Sequence, residues 1–283
     1  MSGLKISIIG LGIVGNAMYE SLCLKGLKLG ENLFIYDKYK NGGMGSLAEC
    51  LKSDITFLAL PTVYNYQSGE YDKQPIIEIC GHLETNQYGG IVVIKSTVEP
   101  ETTNQLSEKF KKLEFIHNPE FLSAKSAFID FHAQKHVVLG RGPSCSEQSV
   151  HKVKSFYETY YQTNEDFEIS LCDALESESM KIFVNCFYAA KIQLFTEFYS
   201  LCQKNNSDFK KITQMMLKNG WINPMHTQVP GSDGQISYGG YCFPKDTNAL
   251  LKYMEKKDSC RKVMEATIVE RNAMRDDHAN CQI

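Results

Sequence analysis

Ten cysteines are scattered through 283 residues, and one of them stands in a setting suited to reaction. Cys242 lies in Tyr238-Gly239-Gly240-Tyr241-Cys242-Phe243-Pro244-Lys245-Asp246. Proline suits the first turn of a helix and Asp246 is a favourable early acid, so the segment reads as a helix start with Cys242 just before it. A helix N-terminus and the neighbouring Lys245 both favour the nucleophilic thiolate. The two glycines let a substrate or another backbone come close. The other nine read as structural; Cys23, Cys186 and Cys202, for example, fall in apolar helical patterns where free cysteine is a small core residue. No C-x-x-C pair occurs, so neither a disulfide scaffold nor a metal site is expected.

A second chemical feature opens the chain. Lys5 to Gly15 reads as a strand, then Gly10-Leu11-Gly12-Ile13-Val14-Gly15, then a helix, which is the context a dinucleotide site requires. Gly10 permits the tight turn, Gly12 lets the backbone approach a pyrophosphate, and Gly15 lets the helix pack on the strand. The amides of Ile13, Val14 and Gly15 then face the phosphates at the helix N-terminus. Asp37, ending the second strand 22 residues after Gly15, is placed to accept adenosine ribose hydroxyls. An acid there repels a 2'-phosphate, so NAD is the expected cofactor, although Lys38 and Lys40 temper that preference. Leu60-Pro61-Thr62 and Lys95-Ser96-Thr97 close the third and fourth strands at the carboxyl edge, where Thr62 and Thr97 are candidates for cofactor or water contacts as well as for helix caps. A thiol beside such a site has a specific use. An aldehyde does not surrender hydride directly, whereas its thiohemiacetal does, and the resulting thioester is hydrolysed by water.

The elements that position these residues follow from periodicity. Short β-branched runs at Ile6 to Ile9, Leu33 to Tyr36, Ile55 to Leu60, Ile91 to Ile94, Phe115 to Ile116 and Val137 to Leu139 alternate with amphipathic stretches. That order predicts an α/β fold, a Rossmann-type doubly wound, mostly parallel sheet. A strand-like Phe167 to Leu171 precedes a change of texture. From Cys172 to Lys204 there is no proline or glycine, and apolar residues recur at helical spacing, which predicts one long, largely buried helix. Shorter helices are expected at Asp208 to Lys218, Asn248 to Met254 and Arg261 to Met274. The chain thus divides into residues 1–166, a NAD-binding domain, and 167–283, an all-helical domain around the long helix, with the boundary near Thr163 to Asp166. The aromatic content of that helix suggests a core shared in a homodimer, with a core inside one chain as the other reading.

Bulk properties exclude other classes. A net charge of −3 and a pI near 6.2 supply no basic face for nucleic acid. No apolar run approaches membrane-spanning length, and Met1 to Lys5 runs straight into the first strand with no room for a leader, so a cytoplasmic protein without a membrane partner is expected.

Four segments taken together carry a resemblance: Gly10 to Gly15; Asn118-Pro119-Glu120-Phe121-Leu122; Lys181 with Asn185 on the long helix; and Gly239 to Asp246. They are ordered as in the UDP-glucose/GDP-mannose dehydrogenase family, and the match covers nearly the whole chain. His226 to Gly234 further resembles its UDP-glucose-oxidising branch. The resemblance implies a four-electron oxidation of a nucleotide-sugar C6 alcohol to the carboxylate with two NAD, and UDP-glucose as the sugar. In that reading Cys242 matches the nucleophile, and Lys181 matches a lysine that stabilises the developing oxyanion. Asn185 matches a sugar-binding asparagine, Glu120 a carboxylate of thioester hydrolysis, Thr97 and Asp246 the groups that hold the catalytic water, and Lys245 a residue near the cofactor. Phe121, Leu122, Tyr238 and Gly239 fall in the matching substrate-binding segments.

Two departures stand out. The family usually has Glu two residues after the Leu of Asn-Pro-Glu-Phe-Leu, where this chain has Ala124, and its arginine in the loop before the cysteine has no counterpart. Family members also typically continue into a third, nucleotide-gripping domain, while this sequence stops at Ile283; either the loop Thr227 to Gly240 and a second subunit then hold the nucleotide, or nucleotide affinity is weak. Three alternatives stay open: oxidation of a UDP-N-acetyl-hexosamine or GDP-mannose, a two-domain 3-hydroxyacid dehydrogenase needing a lysine but no thiol, and a NAD-binding subunit that no longer catalyses.

Overall fold

Ile6–Ile9, Ile55–Leu58 and Ile91–Ile94 are buried at every position, as strands covered on both faces must be. In the computed structural model, which describes residues 3–162, 166–275 and 277, they lie side by side at the centre of an eight-stranded sheet. From one edge to the other the order is Glu168–Asp173, His136–Arg141, Glu114–His117, Ile91–Ile94, Ile55–Leu58, Ile6–Ile9, Leu33–Asp37 and Met44–Gly45. Ile6 is in register with both Leu33 and Ile55, and Ile55 with Ile91. The period-2 alternation of strand side chains sorts this core into two layers. Ile6, Ile8, Phe57 and Val93 pack with Phe156 and Tyr157 on one face, and Ile9, Leu58, Val92 and Ile94 with Ile76 and Phe110 on the other.

The expected strands form, and the sheet is mostly parallel. Two pairings are antiparallel: Glu114–His117 with His136–Arg141, and Leu33–Asp37 with Met44–Gly45. The third strand stops at Leu58 instead of Leu60, because the Leu60 amide turns to donate to Ser96 Oγ at 2.9 Å.

By contacts the chain divides into two units, 1–62 with 71–181, and 63–70 with 182–283. The strand Glu168–Asp173 joins the sheet through six parallel pairs with His136–Arg141, so the first unit takes in that strand and the start of the long helix. Of the boundary stretch suggested by composition, residues 163–165 lie outside the described residues.

The long helix spans Ala174–Asn205, followed by Phe209–Leu217, Cys242–Lys256 and Lys262–Met274. Asp208 caps the second of these by accepting from the Lys211 amide at 3.0 Å. Phe195, Cys202 and Phe209 form the second unit's buried cluster. The long helix is not buried all round, contrary to the expectation from its composition: Phe183, Phe187, Leu194, Phe198 and Leu201 are exposed, while Ile182, Cys186, Ala189 and Phe195 are buried. A count of apolar residues does not separate the two faces. Among the described residues no helix is long and apolar enough to cross a membrane.

Candidate active site

The glycine-rich loop adopts the strand–turn–helix form that its spacing predicts. Gly10 has φ +93°, a left-handed conformation that side chains disfavour, and a Cβ there would meet the Ala59 carbonyl. A Cβ on Gly15 would overlap the Gly10 carbonyl oxygen, which is the close helix–strand packing the motif provides. Gly12 differs: nothing lies within 4 Å of the position its Cβ would take, so its surface is open to a ligand. The helix Ile13–Leu24 begins there without a side-chain cap, and Ile13 is exposed. An open backbone at an uncapped helix N-terminus fits a pyrophosphate.

Asp37 accepts from the Leu11 amide at 2.6 Å through Oδ2, and from the Tyr39 and Lys40 amides at 2.9 and 2.8 Å through Oδ1. Burial raises its carboxyl, but those donors and the Lys40 charge outweigh it and hold the group below the usual carboxylate range. Lys40 reaches across the loop, its Nζ donating to Leu11 O at 3.0 Å and Asn16 Oδ1 at 2.7 Å. It therefore belongs to the loop's structure, which sequence spacing alone did not reveal. Thr62 Oγ1 donates to Thr97 O at 2.7 Å, tying the two strand ends together.

The second group in this unit surrounds Asn118–Pro119–Glu120. Lys181 Nζ donates to Glu120 O at 2.6 Å and stands 3.1 Å from Glu120 Oε1. Glu120 Oε2 accepts from the Leu122 amide at 2.7 Å, and Lys181 lies 5.5 Å from the Phe121 ring centre. The structure thus brings Lys181, Glu120, Phe121 and Leu122 together. It adds Lys95, buried, whose Nζ donates to Asn118 Oδ1 at 3.0 Å. The sequence signal for it was one charge ending an otherwise apolar strand. His117, also buried, bonds Ser177 Oγ through Nδ1 at 2.8 Å; burial, with Lys95 and Lys181 nearby, lowers it to about 3 and keeps it neutral.

The second unit holds the cysteine. Helix Cys242–Lys256 begins at Cys242 itself, six residues before the periodic pattern that first marked it, so the thiol is on the first helical residue and not ahead of it. Cys242 is exposed. The next turn carries Lys245 and Asp246, both buried. Asp246 divides its carboxylate: Oδ1 accepts from Lys245 Nζ at 2.6 Å, and Oδ2 from Asn185 Nδ2 at 2.6 Å. Burial alone would lower the Lys245 ammonium, but Asp246 outweighs it and the group is raised. Elsewhere, burial pushes the thiols of Cys50, Cys80 and Cys145 up to about 12, which leaves them inert as nucleophiles.

Two buried arginines hold the loop that leads into this helix. Arg275 donates to Asp233 Oδ2 at 2.6 Å and to Ser237 O at 3.1 Å, and Arg271 Nε donates to Tyr238 O at 3.2 Å. A Cβ on Gly239 would strike the Arg275 guanidinium, so the group pressing on that glycine is an arginine of the same chain. Tyr238 is buried, with its hydroxyl 3.5 Å from Thr247 Oγ1. In the sequence the two arginines are marked only by their spacing of four, Arg271 near the end of the last helical stretch and Arg275 one residue past it.

A mostly parallel doubly wound sheet with a glycine turn at its first strand, joined to a helical unit, defines a dinucleotide-dependent oxidoreductase fold. Residues 43–161 match the model of the UDP-glucose/GDP-mannose dehydrogenase family's NAD binding domain, and 175–273 that of its central domain. The chain belongs to this family, and NAD is its cofactor. A UDP-glucose 6-dehydrogenase of Campylobacter jejuni is 28% identical over 227 residues, 79% of this chain and 55% of its own length. A solved UDP-glucose dehydrogenase from Pyrobaculum islandicum superposes with TM-score 0.79 at 22% identity, over 96% of this chain and 69% of its own. A 3-hydroxyisobutyrate dehydrogenase of Mycobacterium tuberculosis shares the fold at TM-score 0.72 and 14% identity, over 98% of this chain and 95% of its own. The chain spans about half the length of the curated relatives it matches.

Proposed function

We propose that the protein oxidises the C6 alcohol of a nucleotide sugar, UDP-glucose, to the carboxylate in two NAD-dependent steps, with Cys242 as the covalent nucleophile. Bound against Gly10, Gly12 and Gly15, with Asp37 at the ribose, NAD supplies the hydride acceptor for each oxidation. The reading rests on one observation: Cys242 is an exposed thiol on the first residue of a helix whose next turn carries a buried Lys245–Asp246 pair. An exposed thiol at that position is favoured as thiolate and open to a carbonyl.

In this mechanism the C6 alcohol gives its hydroxyl proton to solvent and a hydride to the first NAD, leaving the aldehyde; the Cys242 sulfur then adds to that carbon, forming a C–S bond and a thiohemiacetal whose oxygen carries the developing negative charge. Lys181 supplies the positive charge for that oxygen. Loss of a hydride leaves the thioester, water attacks it, the C–S bond breaks, and the thiol is regenerated with the carboxylate. Glu120 handles the proton of the attacking water, with Thr97 and Asp246 as the groups that hold it. Asn185, fixed by Asp246, orients the sugar, and Phe121, Leu122, Tyr238 and Gly239 shape the substrate's surroundings. Lys245 is the residue proposed, from the family motif, for the cofactor's neighbourhood. The exposed apolar stripe of the long helix supports a homodimer.

The test is stoichiometric. With limiting UDP-glucose and excess NAD, about two NADH form per sugar if the thioester route operates. A ratio of one favours a simple alcohol dehydrogenase, whose two-domain layout the 3-hydroxyisobutyrate dehydrogenase shares. A Cys242→Ser variant that still completes the full oxidation rules out the covalent route.

A further inference from the structure

The Asn118–Pro119–Glu120 segment is gripped at both ends by a lysine. Lys181 holds the Glu120 end through both the backbone oxygen and the carboxylate. At the other end Lys95 Nζ donates to Asn118 Oδ1 at 3.0 Å and approaches Pro119 O at 3.5 Å. Asn118 is itself fixed: its Nδ2 donates to Val138 O at 2.8 Å, and its Oδ1 also accepts from the Tyr157 hydroxyl. Lys95 lies 5.5 Å from the Phe131 ring centre and only 2% of its surface is exposed.

A buried ammonium is a stability liability, and an apolar side chain of similar volume is commonly as stable or more so. Asn118 already has Tyr157 and Val138 as partners, so the segment does not need Lys95 merely to satisfy its amide. What Lys95 adds is a charge. Burial lowers it from 10.5 to about 7, Glu120 opposes that fall and Lys181 adds to it. The other groups facing it are neutral: His117 is lowered to about 3, and burial raises the Tyr157 hydroxyl well above its usual value.

We infer that Lys95 is a positioning residue for the reaction: by holding the Asn118–Pro119–Glu120 segment through Asn118 Oδ1, it sets the place of the Glu120 carboxylate that faces Lys181. This rests on the proposed oxidation, in which Glu120 acts on the attacking water, and it deepens that reading.

The pH linkage has a definite sign. Lys95 is lowered in the folded chain, so between about 7 and 10.5 the unfolded chain binds the extra proton, and this group's contribution to stability rises with pH across that window. Below it the folded chain carries the full cost of a buried cation. A Lys95→Met variant removes that cost, and its stability relative to the parent is greatest at pH 6.

The test pairs stability with turnover. Lys95→Met is expected to unfold at or above the parent's denaturant midpoint at pH 6, and to lose kcat by about 10²-fold with KM for NAD unchanged, the scale of a misplaced catalytic group. An ionisation near 7 is expected in the parent's kcat profile and is expected to be absent from the variant's. Turnover within about threefold of the parent overturns the proposal, as does a loss that simply tracks unfolding. A readout free of turnover separates this from the proposed activity. In protein labelled with 13C-lysine, one ammonium, absent from Lys95→Met, titrates far below the rest and moves lower still in Glu120→Gln. If the parent oxidises no nucleotide sugar, the proposed function falls, and this titration decides the placement of Lys95. A Lys95 signal insensitive to Glu120→Gln overturns it.

Discussion

Asp246 shows how one carboxylate joins residues that the sequence lists as separate candidates. Its two oxygens take Lys245 and Asn185, each at 2.6 Å, and its backbone oxygen accepts from the Cys186 thiol at 3.4 Å. The motif made Lys245 and Asp246 visible as neighbours of a candidate nucleophile, and the family resemblance made Asn185 visible. That a single buried acid holds both was not legible, because the partner sits on a helix 61 residues away. The pairing has an energetic consequence. Asp246→Asn leaves Lys245 a buried cation without the carboxylate beside it, and about 3 kcal/mol of stability is expected to be lost. Adding Lys245→Met recovers most of that loss, since the buried charge goes with it. Denaturant unfolding of the two single variants and the double variant measures the coupling; an Asp246→Asn chain as stable as the parent denies it.

At the scale of elements, the strands of the sheet centre were legible because residues buried on both faces leave continuous apolar runs, as Ile91–Ile94 does. The antiparallel edge at Met44–Gly45 was not: two residues carry no periodicity to read. The glycine turn was legible in detail, and its three glycines separate structure from binding. Gly15→Ala puts a methyl into the Gly10 carbonyl and is expected to destabilise the chain by about 2 kcal/mol or more, as overpacked sites do. Gly12→Ala puts the same methyl into open space, at φ −67° where alanine is at ease, so the parent's stability is retained. The methyl then occupies the surface a pyrophosphate approaches, and NAD affinity falls by about tenfold or more. Thermal unfolding and NAD titration on the two variants check the split. A Gly12→Ala chain that binds NAD as the parent does places the cofactor elsewhere.

For the whole molecule, the long helix was legible from the absence of breakers, but the role of its aromatic residues was not. Phe183, Phe187, Leu194, Phe198 and Leu201 recur at spacings of four, seven, four and three, so they lie along one face over about five turns. All five are exposed, at 36% or more, and beside them a cleft of about 770 Å³ is lined by Phe187, Leu194, Trp221 and Val263, with Trp221 at 91% exposed. Scattered apolar residues on a surface need no explanation, but five large ones recurring along one helix face, broken only by charges such as Lys191 and Glu197, do. A second copy of the chain is the simplest cover, because a two-fold axis across the helix sets the same stripe against itself and closes the assembly. Sedimentation equilibrium at micromolar concentration is therefore expected to give twice the chain mass of 32.0 kDa. Phe187→Glu combined with Leu201→Glu sets like charges across that axis and is expected to yield a monomer with the parent's far-ultraviolet circular dichroism, since both side chains are exposed and neither belongs to the buried cluster around Phe195 and Phe209. A parent chain that sediments as a monomer removes the homodimer. A double variant that stays dimeric moves the interface off this face, and leaves the stripe for a different partner.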